Sequence, residues 1–164
     1  MLRSGRQRVR QFLQASRRPT DADLSLGQAY LDGRLCGLFV GQEPRDIVHA
    51  VNTARWLLER GHHDRELVQA ALLHDIGKGL QRTRDRVVYV LASRAGAANL
   101  LASAESRLQA RGAVARSLIH SEAGAEMLEA AGASPAVVRL TRLHHSALCD
   151  DAMLALLQEA DAAS

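Results

Sequence analysis

The chain has 164 residues, 47% of them hydrophobic, and carries a formal net charge of +3. This length is enough to bury one sizeable core and argues against a second independent domain. Two cysteines, Cys36 and Cys149, are too few for a disulfide framework and are expected to be reduced thiols. Aromatic residues make up only 3%, and Ala, Leu and Arg abound. This composition favours helices over strands and predicts an all-α fold.

Residues 1–43 are predicted to form an N-terminal extension of three short helices. The first contains three apolar residues: Val9, Phe12 and Leu13. The second follows Thr20, a residue typical of the N-cap position, and the third spans Leu35 to Val40.

Six arginines lie in the first eighteen residues without an acidic partner: Arg3, Arg6, Arg8, Arg10, Arg17 and Arg18. Such a cluster can bind nucleic acid or an anionic membrane. A solvated helix face is the simpler explanation, so nucleic acid is not an expected partner. No segment has the length of a transmembrane helix, and no secretory leader is recognisable, so we expect a cytoplasmic protein.

A stronger helix is predicted to begin at Pro44 and to end near Gly61. Its apolar residues recur at intervals of three and four: Ile47, Val51, Ala54 and Leu58. Asp64 is then expected to cap the next helix. Because residues 67–73 are apolar almost all round, this helix is predicted to be the central buried element.

The second half of the chain has a weaker pattern between residues 81 and 118, with one helix predicted from Val87 to Leu91. Helical periodicity resumes at His120 and continues through Met127 and Leu128. Further helices are predicted from Ser134-Pro135 through His145 and from about Asp151 to the end of the chain.

Several ionisable residues fall on buried helix faces. His74 and Asp75 follow the apolar run of residues 67–73, where burial would be costly without hydrogen bonds or a metal. Four more share the spacing of apolar residues on their own helices: His120, His144, His145 and Asp161. An isolated His-Asp pair would be explained by a buried hydrogen bond. Several histidines and acids on different helices of one small domain favour metal coordination instead.

Three histidines are not assigned to this set by periodicity. His49 lies off the main apolar stripe of its helix, and spacing leaves it unassigned. His62 and His63 follow Gly61 in a predicted surface turn and are excluded as ligands.

After His49 the chain contains, in this order, the strings AALLHDIGKG, IHSEAGAEML, LTRLHHS and LLQEADAAS. This order resembles the HD superfamily of metal-dependent phosphohydrolases. The resemblance covers about residues 44–161 and implies an HD domain over 44–164. It implies an all-α bundle in which the helix before His74-Asp75 lies at the centre. This is consistent with the apolar surroundings of that pair.

The resemblance also implies a ligand set for two divalent transition-metal ions. One ion would be held by His49, His74, Asp75 and Asp161. Asp75 would bridge to a second ion held by His120, His144 and His145. Imidazole and carboxylate ligands suit Fe, Mn, Co, Ni or Zn.

The three additional histidines make the chain similar to the binuclear branches of the superfamily. These branches include HD-GYP cyclic-dinucleotide phosphodiesterases and HD-type diadenosine tetraphosphate hydrolases. After His144-His145 the chain reads SALCDD, without a Gly-Tyr-Pro motif, and Arg45 stands four residues before His49. Cyclic di-GMP is therefore not the expected substrate.

Catalytic roles are predicted for Asp75, as the bridging ligand, and for Lys78, as a cation near phosphate oxygens. Lys78 is the only lysine in the chain, and compensation of a helix C-terminus explains it almost as well. Arg45 and Arg142 are further candidates for substrate binding. Cys149 is expected to be a small buried residue, and Ser121 and Glu122 are explained by helix capping.

The leading hypothesis is a hydrolase that cleaves a phosphate ester or anhydride of a nucleotide or related small phosphate compound. A second is a regulatory or ligand-binding HD module without turnover. A third, a helical adaptor that binds nucleic acid through its N-terminal arginines, leaves the histidines unexplained. The sequence leaves the oligomeric state open.

Overall fold

The computed structural model describes residues 18–78, 120–146 and 150–164. Within these ranges the chain forms seven helices and no strand, which confirms the all-α prediction. The helices are α1 (Asp21–Tyr30), α2 (Gly33–Val40), α3 (Pro44–Glu59), α4 (Arg65–Leu73), α5 (120–131), α6 (Pro135–Leu143) and α7 (Ala152–Ala163). No described helix is long and apolar enough to span a membrane. The described residues do not include the predicted helices at residues 9–13 and 87–91, Cys149, or the N-terminal arginines other than Arg18.

Side-chain caps begin four of these helices, and three of the four are the predicted ones, at Thr20, Asp64 and Ser134. The Thr20 hydroxyl accepts a hydrogen bond from the Asp23 amide, and the Asp23 carboxylate accepts one from the Thr20 amide. The side chains of Asp64, Ser134 and Asp151 each accept a backbone N–H of the first turn that follows. Such caps satisfy amides that have no partner within the helix. Helix α2 begins two residues earlier than predicted, at Gly33.

Helix α4 is the central element, as predicted. All its residues from Leu67 to Leu73 are buried, and it packs against α1, α2, α3, α6 and α7. The predicted stripe of α3 packs into the core, with Leu58 only partly buried, but it omits Leu57, which is fully buried. Helix α3 packs against α1, α4 and α7 at once, so its buried face is wider than one stripe and includes Leu57.

The part of the N-terminal extension that the structure describes packs onto α3 and α4. Asp23 is 1% exposed, and its Oδ1 lies 2.7 Å from Arg55 Nη2 on α3. Phe39 is fully buried, and its ring lies so close to Gly27 that a Cβ there would overlap it. Helices α1 and α2 are therefore anchored by an ion pair whose carboxylate is buried and by a buried aromatic ring.

The turn after α4 packs directly against α5. A Cβ on Gly77 would overlap the carbonyl oxygen of His120 and lie 2.8 Å from the amide nitrogen of Gly124. Only glycine allows this approach, because it has no side chain. The contact brings His120, on α5, next to the end of α4.

Candidate metal centre

Two of the histidines stand at the ends of helices and have a defined tautomer. His74 is the C-cap of α4, and its Nδ1 lies 2.9 Å from the carbonyl oxygen of Ala71. His144 is the C-cap of α6, and its Nδ1 lies 2.6 Å from the carbonyl oxygen of Thr141. A carbonyl oxygen can only accept, so Nδ1 donates in both rings. In the neutral form of each ring the lone pair is therefore on Nε2, which is the form that a metal requires.

A first group of possible ligand atoms comes from α3, the end of α4, and α7. It consists of His49, His74 and Asp161, whose ligand atoms all lie within 4.8 Å of one another. Asp161 Oδ1 is 2.9 Å from His49 Nε2 and 3.5 Å from His74 Nε2. His49, which periodicity left unassigned, thus lies beside His74, the histidine of the HD motif.

A second group comes from the turn after α4, the first described residue of α5 and the end of α6. It consists of Asp75, His120, His144 and His145, with ligand atoms again within 4.8 Å. His120 Nε2 lies 3.4 Å from His144 Nε2 and 3.1 Å from His145 Nε2. His145 is the exposed member of this group, although its spacing had placed it on the packed side. It follows the end of α6, where the turn carries it to the rim.

Asp75, a member of the second group, also lies beside the first. Its Oδ2 is 3.5 Å from His74 Nε2 and 3.6 Å from His49 Nε2. Its Oδ1 is 3.4 Å from His120 Nε2 and 3.8 Å from His144 Nε2. The two oxygens of one carboxylate therefore face different sets of imidazole nitrogens.

Two buried atoms of the cluster have no hydrogen-bond partner among the described residues: His74 Nε2 and Asp75 Oδ1. Both residues are at most 3% exposed, and leaving such groups unsatisfied costs roughly 1–3 kcal/mol each. A divalent cation on each side of Asp75 would satisfy both atoms. The donor set of imidazole nitrogens and carboxylate oxygens suits a transition metal, so the residues present fit such ions.

The electrostatics of the cluster follow from its burial. Burial alone would lower the pKa of His74, but the carboxylates of Asp75 and Asp161 outweigh it and raise that pKa to about 8. Burial opposes ionisation of both carboxylates as well, yet the neighbouring imidazoles, and Lys78 beside Asp75, hold their pKa values well below the usual range. Burial and the nearby His74 lower the pKa of His144 to about 3. The centre is therefore anionic enough to attract a proton or a cation.

The predicted substrate-binding cations lie in different surroundings. The Lys78 ammonium group forms an ion pair with Asp75 Oδ2 and is 37% exposed, so it lies at the centre. Arg45 Nε is 3.5 Å from Asp46 Oδ1. Arg142 forms a surface pair with Glu122 at 3.0 Å.

Gln158 on α7 is a residue of this site that the sequence analysis missed. Its Nε2 donates to the carbonyl oxygens of His144, at 3.2 Å, and Ser146, at 2.9 Å. These carbonyls flank His145, so Gln158 holds the turn that carries two imidazoles of the second group. The available signal was its position three residues before Asp161, which places both on one helix face.

Histidines 62 and 63 belong to neither group of ligand atoms that the described residues form. His63 is exposed and His62 half-buried. Both follow Gly61, whose φ of 84° ends α3 in the left-handed conformation.

The fold and the cluster together define an all-helical protein with a candidate metal centre at the meeting point of five helices. The model of the HD domain family matches residues 47–164, and the chain belongs to this family. No curated protein and no solved structure matches the chain. The HD superfamily is one of metal-dependent phosphohydrolases.

Proposed function

We propose that this protein is a metal-dependent phosphohydrolase that cleaves a phosphate ester or anhydride of a nucleotide or related small phosphate compound. The observation that carries the proposal is the position of Asp75, whose two oxygens face two separate groups of ligand atoms. The unpartnered His74 Nε2 and Asp75 Oδ1 support it. Fe, Mn, Co, Ni and Zn are the candidate ions.

Two ions are proposed. His49, His74, Asp161 and one oxygen of Asp75 would hold the first. The other oxygen of Asp75 and the second histidine group would hold the second: His120, His144 and His145. When bound, such ions lower the pKa of a coordinated water and neutralise charge on a phosphoryl group.

The remaining residues act on the substrate. The Lys78 ammonium group contacts the cluster through its ion pair with Asp75 and is partly exposed. We propose that it binds phosphate oxygens of the substrate. Arg45 and Arg142 are proposed as further phosphate contacts from the surface, where each would exchange its carboxylate partner for a phosphate. The backbone bonds to His74 and His144 Nδ1 orient both rings before substrate binds.

Residues 44–164 are proposed as the HD domain and residues 1–43 as an extension added to it. The family match begins at residue 47, within α3. Helices α1 and α2, which precede that residue, pack against α3 and α4. The extension is therefore placed to shape the surroundings of the centre.

The test is elemental analysis combined with a substrate screen. The purified protein would be loaded anaerobically with Mn²⁺ or Fe²⁺ and assayed on nucleoside mono- and triphosphates, dinucleoside polyphosphates and p-nitrophenyl phosphate. Asp75→Ala should lose bound metal and activity, whereas the matched control His63→Ala should keep both, because His63 is exposed and outside both groups.

Two outcomes would contradict the proposal. Metal-loaded protein that hydrolyses none of these compounds argues against a hydrolase. Protein that takes up no metal favours the alternative, an HD module that binds a ligand or regulates a partner without turnover.

A further inference from the structure

A chain of hydroxyl contacts joins α3 to the last turn of α7. Thr53 Oγ1 lies 3.0 Å from the carbonyl oxygen of His49, on its own helix, and 3.1 Å from Ser164 Oγ. Ser164 is the C-cap of α7, and its hydroxyl lies 2.7 Å from the carbonyl oxygen of Ala160. Its backbone N–H donates to the carbonyl oxygen of Asp161. The contacts therefore run from the backbone of His49 to the turn that carries Asp161, and both residues belong to the first ligand group.

Ordinary helix structure explains only part of this chain. A threonine hydroxyl often bonds to the carbonyl oxygen four residues earlier in its own helix, so the contact with His49 alone has no functional meaning. The contact with Ser164 is different, because the two residues are 111 positions apart. Thr53 is fully buried, and a buried hydroxyl costs free energy unless it is hydrogen-bonded. Valine has nearly the same shape and would avoid that cost, so the hydroxyl serves as a link between α3 and α7.

The hydrogens of the two hydroxyls can form this link in two ways, since each hydroxyl has one hydrogen to donate. In the first arrangement Ser164 donates to Ala160 and Thr53 donates to Ser164. In the second, Thr53 donates to the carbonyl oxygen of His49, and Ser164 donates to Thr53. Both arrangements contain one hydrogen bond that crosses from α3 to α7.

The first ligand group depends on the distance between these two helices. His74 and His144 are oriented by carbonyl oxygens of their own helices. His49 Nε2 instead lies 2.9 Å from Asp161, on α7, and 3.6 Å from Asp75, in the turn after α4. Functional sites require their ligands to be held within roughly 0.5 Å of the productive geometry. A link between the backbones of α3 and α7, beside these ligands, is placed to set that distance.

We propose that Thr53 is a positioning residue of the first ligand group. It acts through Ser164 to hold His49 and Asp161 at the separation that one metal ion requires. Neither hydroxyl belongs to a group of ligand atoms, so both act through the backbone that carries the ligands. The inference rests on the proposed function, because it concerns the first of the two proposed ions.

The test compares Thr53→Val, which removes the hydroxyl, with Thr53→Ser, which keeps it. The metal-free proteins would be titrated with Co²⁺ and followed by the absorption of the bound ion. The first site is the transition that is lost in Asp161→Asn. Thr53→Val should bind Co²⁺ at that site about fivefold more weakly, the effect of one neutral hydrogen bond, and Thr53→Ser should stay within about twofold of wild type. The affinity of the second site should be unchanged in both variants.

Urea unfolding separates positioning from a general loss of stability. Thr53→Ser removes a buried methyl group and Thr53→Val removes a hydrogen bond, so both variants should unfold at lower urea concentration than wild type. Only the valine variant should lose first-site affinity. Ser164→Ala, at a half-buried position, should reproduce that loss, and it replaces Thr53→Val if that variant does not fold. The double variant Thr53→Val with Ser164→Ala should bind no more weakly than either single variant, because all three lack the same link.

The outcomes distinguish this inference from the proposed function. Equal first-site affinities in Thr53→Val and Thr53→Ser would overturn the inference, as would equal losses at both sites or additive losses in the double variant. Wild-type protein that binds no Co²⁺ contradicts both the proposed centre and the positioning role. The expected loss in a protein that hydrolyses no phosphate compound supports the positioning role and contradicts the hydrolase. Hydrolysis by wild type, with first-site affinity unchanged in Thr53→Val, supports the hydrolase and contradicts the positioning role.

Discussion

Replacing Gln158 by leucine should weaken metal binding at the second ligand group more than at the first. The Gln158 amide holds the carbonyl oxygens of His144 and Ser146, and its loss frees the turn that carries His144 and His145. Each neutral hydrogen bond contributes about 1 kcal/mol. Losing both would weaken metal binding by about 30-fold if the whole cost fell on the second site, since 1.4 kcal/mol is a factor of ten. This agrees with the roughly 10–100-fold effects known for residues that orient metal ligands.

The assay is calorimetric titration of the metal-free protein with Zn²⁺ or Mn²⁺, analysed for two sites. Gln69→Leu is the matched control, because the Gln69 amide donates to the carbonyl oxygen of Tyr30 at 2.8 Å and does not contact the cluster. Both variants should lower the free energy of unfolding, by about 1 kcal/mol per lost bond. Only Gln158→Leu should lower the affinity of the second site. Equal losses of metal affinity in the two variants, or none in either, would refute the positioning role.

Three further predictions concern the packing and protonation of the same structure. Gly77→Ala should destabilise the fold by about 1–3 kcal/mol in chemical unfolding, because its Cβ overlaps the backbone of α5; Gly37→Ala, where the added Cβ meets open space, should not. Metal affinity should fall about tenfold per pH unit below about 8, because His74, whose pKa is about 8 in the metal-free protein, must lose a proton to bind. Asp23→Ala should cost about 1.5–3 kcal/mol in urea unfolding, because it removes the ion pair with half-buried Arg55 on α3 and the capping bond to Thr20, whereas exposed Asp21→Ala should cost less than about 0.5 kcal/mol.

Each of these has a contradicting result. If both glycine variants unfold at the same denaturant concentration, the close approach of the turn after α4 to α5 does not require glycine at residue 77. If metal affinity is constant from pH 6 to 8, deprotonation of His74 does not limit metal binding. Asp23 does not anchor the extension if the two aspartate variants are equally stable.

Local features of the chain could be predicted because their causes lie within a few residues. Thr20, Asp64 and Ser134 cap helices since each has a side-chain acceptor beside free backbone amides. The apolar run of residues 67–73 predicts burial on every side, and the structure places it at the centre. The HD motif and the histidines after it identified the family for the same reason, because order and spacing along the chain carry that information.

The relations between distant residues arise instead from how the helices cross. Periodicity assigns a residue to a face of its own helix and cannot tell which atoms a second helix brings opposite that face. It therefore left His49 unassigned, although α7 brings Asp161 within 2.9 Å of it. It also left out Leu57, which packing against three helices buries in addition to the predicted stripe. The two-sided position of Asp75 and the support of its neighbours by Gln158 likewise exist only once helices far apart in the chain have packed together.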